Sequence, residues 1–564
     1  MLKGVFTALA ALSLTGCVTS ARQPAAGQPG MVSASDPRAA AAGVEMLRAG
    51  GSAADAAFAT LIALTVVEPQ SSGIGGGGFL VYEDGDGQPD TYDGRETAPA
   101  AANGQWFFVD GKPLDIAQAI PGGRSVGIPG NVRMMALAHR KHGKLPWAKL
   151  FEPAIRLADE GFTITPRLSR AAEMARETGA LSSQGRWLFY GGDGSALPPG
   201  TKVRNPELAA FLRELAQRGP DAFYTGANAK AIVETVNSSP RNPSKMQFDE
   251  VGGYDAKQRP AVCGEYRRHR ICGMGPPSSG ATTVFAIVKQ LERFDLERFG
   301  PYSPTSWHLF AESMRLAFAD REQFLADPDF VEVPVSGLMD TTYLARRSAL
   351  IAPDKTLAEV TYGIPPGANI VVCARMPVRE QGTSHFVAVD RWGHVASLTS
   401  TVESAFGSGL MVNGYYLNNE LTDFSLSPSR NDCPVPNRVE PGKRPRSSMS
   451  PTIVYGPDGR VRLAVGAAGG ATIIAQVAKA IIGVIDWNLP ASQAIALPVL
   501  FAPGDTIYVE QGTTLETLIP YFKAMGHAKV EARPPGFKAN AIEWAGGRWV
   551  GAADPRSEGA AVGE

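Results

Sequence analysis

The sequence predicts an α+β fold in which layers of helices cover stacked β-sheets. Apolar helical segments lie near the start of the chain, and hairpins of alternating strands occur both early and late. Helices and strands interleaved in this way bury their apolar faces best as stacked layers. With 564 residues and 44% hydrophobic side chains, the chain has enough apolar material for a large core.

The predicted helices begin at recognisable caps. Asp36 suits an N-cap and Pro37 the first helical position. Ser52 can cap a second helix, whose apolar stretch is too short to span a bilayer and contains Asp55. Side chains of a third segment, which opens at Ser303, repeat with helical spacing. The first predicted helix therefore begins at Pro37 and runs through Ala39 to Leu47, and the other two span residues 53 to about 67 and 304–318.

Hairpins are predicted where two apolar runs flank a turn signal. Residues 79–82 precede a turn at 84–87 and a short return strand. Residues 384–389 and 395–400 form a second hairpin around Arg391-Trp392-Gly393. A third hairpin lies within residues 444–466, with its turn at 456–459.

Composition excludes several function classes. The chain carries 54 basic and 55 acidic side chains, a net charge of −1, so it has no electrostatic footprint for nucleic acid. Its seven histidines are scattered without the spacing of zinc ligands. We therefore predict neither a metal site nor a cofactor.

The N-terminus is predicted to be a targeting segment. A short apolar stretch, residues 5–14, runs into Leu14-Thr15-Gly16-Cys17, which is similar to a bacterial lipobox. Cys17 would be lipidated and become the first mature residue; an ordinary cleaved signal peptide is the alternative. Residues 18–31 are expected to be a flexible tether. The protein would be exported to the periplasm, and Val18 after the cysteine favours anchoring to the outer membrane.

Two further cysteines could form a disulfide in an oxidising compartment. Cys263 and Cys272 flank residues 264–271, which could be two facing strand edges. Sequence does not establish the pairing, so it stays open.

The most informative segment is Gly382-Thr383, at the start of the strand 384–389. A threonine hydroxyl can attack the carbonyl of the preceding residue, and glycine at 382 leaves room for the tight turn that this attack needs. Cleavage would free the Thr383 α-amine beside its own hydroxyl, where it can act as the base for a nucleophile. By itself the segment also fits an ordinary strand start, because threonine is common in strands. Together with the motifs along the rest of the chain it predicts a self-cleaving amide-bond enzyme.

Motifs along nearly the whole mature chain resemble the γ-glutamyltransferase (γ-glutamyltranspeptidase, glutathione hydrolase) family, in the same order. The matching stretches are residues 30–32, 51–57, 75–79, 93–99, 127–130, 276–280, 383–389, 399–401, 418–424, 444–451 and 554–557. The resemblance implies a four-layer αββα sandwich of the N-terminal nucleophile hydrolase class. It also implies a large subunit, residues 32–382, and a small subunit, residues 383–564, that begins at the nucleophile and stays bound to the large one.

The same resemblance implies roles for single residues. Thr383 would be the nucleophile, Thr401 would hydrogen-bond it, and backbone N–H groups of Gly469 and Gly470 would form the oxyanion hole. His385 is expected to pack or to orient, since the free amine already serves as base. The substrate-binding residues would be Arg95, Ser447 and Ser448 for the α-carboxylate, and Asp423, Glu420 and Glu403 for the α-ammonium.

The implied reaction transfers the γ-glutamyl group of glutathione or a similar compound to water, an amino acid or a dipeptide, through an ester on Thr383. A cephalosporin (glutaryl) acylase is the near alternative. An unprocessed lipoprotein that binds γ-glutamyl compounds or peptides is the alternative from another class. Thr422, where many family members carry a second aspartate, and a shortened segment between Phe424 and Lys443 weaken the substrate assignment more than the chemistry.

Overall fold

The computed structural model describes residues 27–369, 382–430 and 433–564. Cys17, the signal segment and most of the expected tether lie outside these residues. The first strand begins at Met31, the last residue of the expected tether, because Met31 pairs with both Val389 and Gly563. Among the described residues, no helix is both long and apolar enough to cross a membrane.

Two antiparallel sheets form the centre of the molecule. In chain order their strands are β1 (Met31–Ala34), β2 (Gly77–Glu83), β3 (Asp90–Asp93), β4 (Lys257–Arg259), β5 (Ala261–Tyr266), β6 (His269–Met274), β7 (Ser384–Val389), β8 (Val395–Thr401), β9 (Thr452–Tyr455), β10 (Val461–Ala468), β11 (Lys538–Ala545), β12 (Arg548–Ala553) and β13 (Ala560–Gly563). The seven-stranded sheet has the order β13-β1-β7-β8-β2-β3-β4, and the six-stranded sheet has the order β12-β11-β10-β9-β6-β5.

Helices cover the outer faces of both sheets. The longer helices are α1 (Pro37–Arg48), α2 (Ala53–Val67), α3 (Asn131–His142), α4 (Glu152–Glu160), α5 (Pro166–Met174), α6 (Pro206–Arg218), α7 (Gly226–Asn237), α8 (Gly280–Leu291), α9 (Pro304–Phe324) and α10 (Thr472–Ile485). The pair α1 and α2 packs on the seven-stranded sheet, whereas α8 and α10 pack on the six-stranded sheet. Since β7 also packs on β10 and β11, the layers run helix, sheet, sheet, helix, which confirms the predicted αββα fold.

Shorter elements complete the chain. The short helices are Ile116–Ala119, Gly123–Ser125, Trp147–Phe151, Arg176–Gly179, Ser183–Phe189, Asp221–Tyr224, Phe248–Gly252, Leu296–Phe299, Val335–Leu338, Thr341–Ser348, Glu420–Asp423, Ala491–Ala496, Thr514–Thr517 and Ile519–Ala524. The remaining strands, in small sheets, are Phe108–Val109, Lys112–Pro113, Phe162–Thr163, Lys202–Val203, Met411–Val412, Tyr415–Tyr416, Ser429–Arg430, Cys433–Pro434, Leu500–Phe501, Thr506–Glu510 and Lys529–Arg533.

The alternation of β7 explains how one strand serves two cores. Phe386 and Ala388 pack into the core beneath α1 and α2, whereas Val387 and Val389 pack into the core between the two sheets. Successive strand side chains point to opposite faces, so a strand between two apolar layers needs apolar residues at nearly every position. This burial holds β7 firmly and therefore also places Thr383, the residue before it.

The predicted helices are confirmed, with one difference in length. Asp36 caps α1, and Ser52 and Asp55 form a capping box at the start of α2. The third helix, α9, continues six residues beyond the predicted end, to Phe324. Polar side chains in these six residues are buried and hydrogen-bonded, as Asp320 is to Tyr343. A prediction that follows the spacing of apolar residues does not detect buried polar positions.

Strands from before and after Gly382 are interleaved. β1 lies between β7 and β13, and β2 pairs with β8. In the other sheet, β6 pairs with β9. A break of the chain at residue 382 would leave both pieces contributing to both sheets, and separation would expose the whole core.

A disulfide joins Cys263 and Cys272. The two residues face each other across the hairpin of β5 and β6. The structure thus decides a pairing that the sequence left open.

Candidate active site

Antiparallel pairing brings Thr383 and Thr401 together. Ser384 pairs with Ser400, so the residues on either side of this pair, Thr383 and Thr401, are neighbours at the same sheet end. The Thr383 hydroxyl contacts the carbonyl oxygen of Gly382 and lies 3.5 Å from Thr401 Oγ1. Thr401 in turn donates to the Gly382 carbonyl oxygen at 3.2 Å. Two hydroxyl groups therefore converge on the carbonyl of one peptide bond.

Gly382 adopts a backbone conformation that side chains oppose. Its φ is +57°, in the left-handed region, and a Cβ there would collide with the carbonyl oxygen of Glu403. Glycine populates this region without steric cost. The sequence-based reason for glycine at 382 therefore agrees with the geometry of the turn.

Glu403 contacts Thr401 through its backbone and two neighbouring polar side chains through its carboxylate. Its backbone N–H donates to Thr401 Oγ1 at 2.7 Å. Its carboxylate accepts hydrogen bonds from Asn419 Nδ2, at 2.6 Å, and from the Ser404 hydroxyl. In this structure Glu403 thus orients Thr401 through its backbone, while its side chain is held within the protein.

The predicted carboxylate-binding arginine is paired with the predicted ammonium-binding acids. Arg95 is completely buried, and its guanidinium donates to the carboxylates of Glu420 and Asp423. It also donates to the carbonyl oxygens of Pro445 and Arg446, each at 3.0 Å. The family resemblance implied one group for the carboxylate and another for the ammonium of the same ligand, and the structure brings these two groups into direct contact.

Glu96 adds a third carboxylate 3.8 Å from the Arg95 guanidinium. We call Arg95, Glu96, Glu420 and Asp423 the Arg95 cluster. Burial and the neighbouring acids raise the pKa of Glu96 and of Glu420 well above the usual value, despite Arg95. Among the described residues, Glu420 Oε2 and both Glu96 carboxylate oxygens have no hydrogen-bond donor. The cluster therefore has an excess of negative charge and acceptors.

The serine pair follows the two carbonyls that hold Arg95. Ser448 Oγ accepts a hydrogen bond from Arg321 at 2.6 Å, and Ser447 Oγ accepts one from the Met449 N–H at 3.1 Å. Both serines are buried. The segment 445–448 thus presents carbonyl oxygens to Arg95 and places two hydroxyl groups immediately beyond them.

Gly469 and Gly470 lie at the same end of the sheets as Thr383. They follow β10 and precede α10, with φ values of +122° and +60°. Ala468, the last residue of β10, pairs with Lys538, whose ammonium lies 3.2 Å from the Ser384 hydroxyl. The Gly469-Gly470 turn therefore begins one residue after Ala468, whose partner Lys538 contacts Ser384, the residue that follows Thr383.

His385 is buried without access to water, and burial lowers its pKa to about 3. Its Nδ1 lies 2.9 Å from Thr399 Oγ1. A neutral imidazole held in this way packs the space between the sheets. This agrees with the expectation that His385 is not a general base.

Sequence reasoning missed a buried ion pair behind the start of β7. Lys538 donates to Glu68 at 2.6 Å and to Ser71 at 3.0 Å, and the Ser384 hydroxyl donates to Glu68 at 2.5 Å. We call Lys538, Glu68, Ser71 and Ser384 the Lys538 cluster. A lone acid directly after the apolar helix α2 was a possible signal. Lys538, which is 154 residues from Ser384, has no local signal.

A second group contains possible metal ligands that sequence spacing did not reveal. His308 Nδ1 lies 2.8 Å from His527 Nε2, and Glu312 lies beside them. However, Arg315 donates to Glu312 at 2.7 Å, and His308 Nε2 bonds the Ala352 carbonyl oxygen at 2.9 Å. We therefore interpret His308, Glu312 and His527 as a structural hydrogen-bond network around α9.

Relatives of this chain match almost its whole length. It is 34% identical over 96% of its length to a Bacillus subtilis (strain 168) protein named glutathione hydrolase proenzyme, 92% of which is covered. It is 33% identical over 96% of its length to an acylase ACY 1 proenzyme of Pseudomonas sp. (strain SE83), 95% of which is covered.

A solved structure of cephalosporin acylase from Bacillus halodurans has the same fold. The TM-score is 0.83, with 98% of this chain and 99% of that chain covered, at 24% identity. Residues 39–564 match the family model described as gamma-glutamyltranspeptidase. Together with the αββα layers, this match shows that the chain is an enzyme of the γ-glutamyltranspeptidase (glutathione hydrolase) family.

Proposed function

We propose that this protein cleaves its own chain before Thr383 and then transfers γ-glutamyl groups to water, amino acids or dipeptides. Thr383 would be the nucleophile of both reactions. The support is the contact of its hydroxyl with the Gly382 carbonyl, in a turn that only glycine adopts without strain. The proenzyme names of the relatives agree with a processed precursor.

In self-cleavage, Thr383 Oγ attacks the Gly382 carbonyl carbon, and the C–N bond breaks as the proton moves to the leaving Thr383 nitrogen. The product is an ester between Gly382 and the Thr383 hydroxyl. Water then opens the ester, which leaves a Gly382 carboxylate and a free Thr383 α-amine. Thr401, which donates to the Gly382 carbonyl oxygen at 3.2 Å, would stabilise the negative charge on that oxygen during the attack.

In turnover, the Thr383 amine accepts the proton of the Thr383 hydroxyl as the oxygen attacks the γ-carbonyl of the donor. The amine of the donor leaves with a proton, and a γ-glutamyl ester remains on Thr383. Water or the amine of an acceptor then takes the γ-glutamyl group. Backbone N–H groups of Gly469 and Gly470 would stabilise the charged oxygen of both tetrahedral intermediates, an effect of roughly 3 kcal/mol per donor.

The contact of Arg95 with Glu420 and Asp423 supports γ-glutamyl compounds as the substrate class. A γ-glutamyl donor ends in a zwitterion, with one carboxylate and one ammonium on the same carbon. If this zwitterion enters the cluster, its carboxylate replaces the acids on Arg95 and its ammonium replaces Arg95 on the acids. The ligand carboxylate would then face Arg95 and the ligand ammonium would face Glu420 and Asp423, so both ligand charges are paired, and Glu420 Oε2 gains a donor.

A glutaryl group fits less well. It carries a carboxylate but no ammonium, so its entry would leave Glu420 and Asp423 buried without their cation. Acylase activity, proposed from the sequence as that of a cephalosporin (glutaryl) acylase, is the second candidate, and the acylase ACY 1 proenzyme that is 33% identical to this chain supports an acylase. A binding lipoprotein that is never processed is the third candidate.

We further propose that the protein is exported and anchored by a lipid on Cys17. The support is the Leu14-Thr15-Gly16-Cys17 sequence after a short apolar stretch. Mass spectrometry of the membrane fraction would detect a lipidated Cys17 peptide. A mature chain that begins elsewhere and carries no lipid would contradict the anchor.

The first experiment compares wild type with Thr383→Ala by intact mass and by activity. We expect wild type to give two fragments, the smaller beginning at Thr383, and to release nitroaniline from γ-glutamyl-p-nitroanilide. Thr383→Ala should stay uncut and inactive. Release of nitroaniline from glutaryl-p-nitroanilide alone would instead support the acylase. An uncut, inactive wild type would support the binding protein.

A further inference from the structure

The Lys538 cluster lies directly behind the proposed nucleophile and is sealed from water. Lys538, Glu68, Ser71 and Ser384 are all at most 4% exposed. The Ser35 hydroxyl also donates to Glu68, at 2.5 Å. Every polar group at this position is paired, so the cluster forms a rigid connection between α2, the start of β11 and the start of β7.

Self-cleavage would change how Thr383 is held in place. In the intact chain Thr383 is held by covalent bonds on both sides. After cleavage it would be a chain terminus one residue outside the β7–β8 ladder, whose last pair is Ser384 with Ser400. Terminal residues fray unless side chains or hydrogen bonds tie them down. Ser384 is the nearest residue that could supply such a tie.

We propose that Lys538 and Glu68 are positioning residues that hold the new N-terminus through the Ser384 hydroxyl, so that Thr383 keeps its orientation for turnover. This inference rests on the proposed function, because it needs a cleaved chain with Thr383 at its start. The two contacts are Lys538 to Ser384, at 3.2 Å, and Ser384 to Glu68, at 2.5 Å. Neither Lys538 nor Glu68 would touch the substrate.

The charges around the cluster make it sensitive to pH. Burial lowers the pKa of Lys538 to about 8, although Glu68 and, more weakly, Asp36 oppose the shift. Arg167, 3.8 Å from Glu68, lowers the Lys538 pKa further. Above pH 8 the folded protein would lose the ammonium donor to Ser384 while Glu68 keeps its charge.

The lowered pKa of Lys538 also allows a loss of positioning to be distinguished from unfolding. The folded pKa of Lys538 lies below the unfolded value of about 10.4, so between these values the unfolded chain binds more protons. The contribution of Lys538 to the free energy of unfolding therefore rises with pH in this window. A fall of kcat above pH 8 would not come from the stability contribution of this group.

The test compares Lys538→Met with Lys479→Met. Lys479, on α10, is an equally buried lysine that donates to the carbonyl oxygens of Ile495 and Leu497, neither of which belongs to β7. With γ-glutamyl-p-nitroanilide, we expect Lys538→Met to lower kcat about tenfold or more with little change in KM. Lys479→Met should lower only the melting temperature.

Two further variants keep the test decisive. Ser384→Ala leaves the ion pair of Lys538 with Glu68 in place and should lower kcat about fivefold, even where Lys538→Met does not fold. Lys538→Arg keeps the charge at high pH; it should restore most of kcat and move the alkaline fall of kcat from about pH 8 to above pH 9.

The outcomes separate this inference from the proposed function. A cleaved, active wild type together with unchanged kcat in Ser384→Ala and Lys538→Met would overturn the positioning role alone. An equal loss of kcat in Lys479→Met would also overturn it, because the effect would then follow stability. A wild type that is not cleaved at Thr383 would overturn the proposed function, and the positioning role with it.

Discussion

Two buried charge clusters lie near the candidate active site, and they are built differently. The Arg95 cluster sets one guanidinium against three carboxylates, and in the described part of the chain three acceptor oxygens, on Glu96 and Glu420, lack a donor. The Lys538 cluster sets one ammonium against one carboxylate and fills the remaining positions with serine hydroxyls. The first is unbalanced and incompletely hydrogen-bonded, and the second is balanced and satisfied.

The pKa shifts express the same difference. Burial and neighbouring acids raise the pKa of Glu420 well above its usual value. Burial also acts to raise the pKa of Glu68, but Lys538, Arg167 and hydrogen bonds outweigh it, so the net pKa is lowered. A buried group that is unfavourable as a charge indicates a position for a ligand of opposite charge, whereas a satisfied pair indicates a structural or positioning role.

The largest expected effect is that of Arg95→Met. Removing the guanidinium takes the cation away from three buried acids, and we expect kcat/KM for γ-glutamyl-p-nitroanilide to fall at least about 10³-fold. The free energy of unfolding should also fall, by about 3–5 kcal/mol. Arg315→Met is the matched control, since Arg315 pairs with buried Glu312 elsewhere. An equal loss of kcat/KM in both folded variants would contradict a role of Arg95 in substrate binding.

Asp423→Asn should change the choice of substrate. Without this carboxylate the donor ammonium loses a charged partner, so KM for γ-glutamyl-p-nitroanilide should rise about tenfold or more. KM for glutaryl-p-nitroanilide, which has no ammonium, should stay the same or fall. Steady-state kinetics with both substrates measures this, and an equal rise in both KM values would argue against ammonium binding by Asp423.

Glu420→Gln and Glu68→Gln should change stability in opposite directions. Glu420 is unfavourable as a carboxylate in the folded protein, so its neutral replacement should raise the free energy of unfolding by roughly 1 kcal/mol while activity falls. Glu68 is favoured as a carboxylate, so its replacement should lower that energy by about 2 kcal/mol or more, since Lys538 loses its counter-charge. Urea denaturation of the two variants at pH 7 checks both signs.

The smallest effects concern pH. For Glu420 the folded pKa lies above the usual 4.5. Its cost to the free energy of unfolding is therefore absent below pH 4.5 and grows as pH rises from 4.5 toward the folded pKa. For Glu68 the folded pKa lies below 4.5, so its contribution is present above that value and is lost as pH falls through the folded pKa. The advantage of Glu420→Gln and the deficit of Glu68→Gln should both shrink toward acid pH. A Glu420→Gln advantage that stays constant from pH 7 to pH 4.5, or a Glu68→Gln deficit that does not shrink below pH 4.5, would contradict this assignment of charges.

Much of the fold could be predicted because its signals are local. The caps at Asp36 and Ser52 and the turns at 84–87 and 456–459 use residue types whose backbone preferences act within a few positions. The start of β7 at Ser384 follows from alternation and from the glycine before it. These features gave the correct class of layers and the correct neighbours for Thr383.

Only the tertiary structure decided which charges meet. Nothing near Arg95 in the chain indicates Glu420 or Asp423, which arrive from more than 300 residues away. Lys538 and Glu68, which are 470 residues apart, meet only because β11 and α2 pack beside the same end of β7. The sequence by itself determined the helix caps, the turns and the strand alternation, because these depend on local preferences, and its ordered family motifs indicated the candidate nucleophile. The partners of each buried charge depend on how the layers stack, because burial removes the water that would otherwise separate and solvate them.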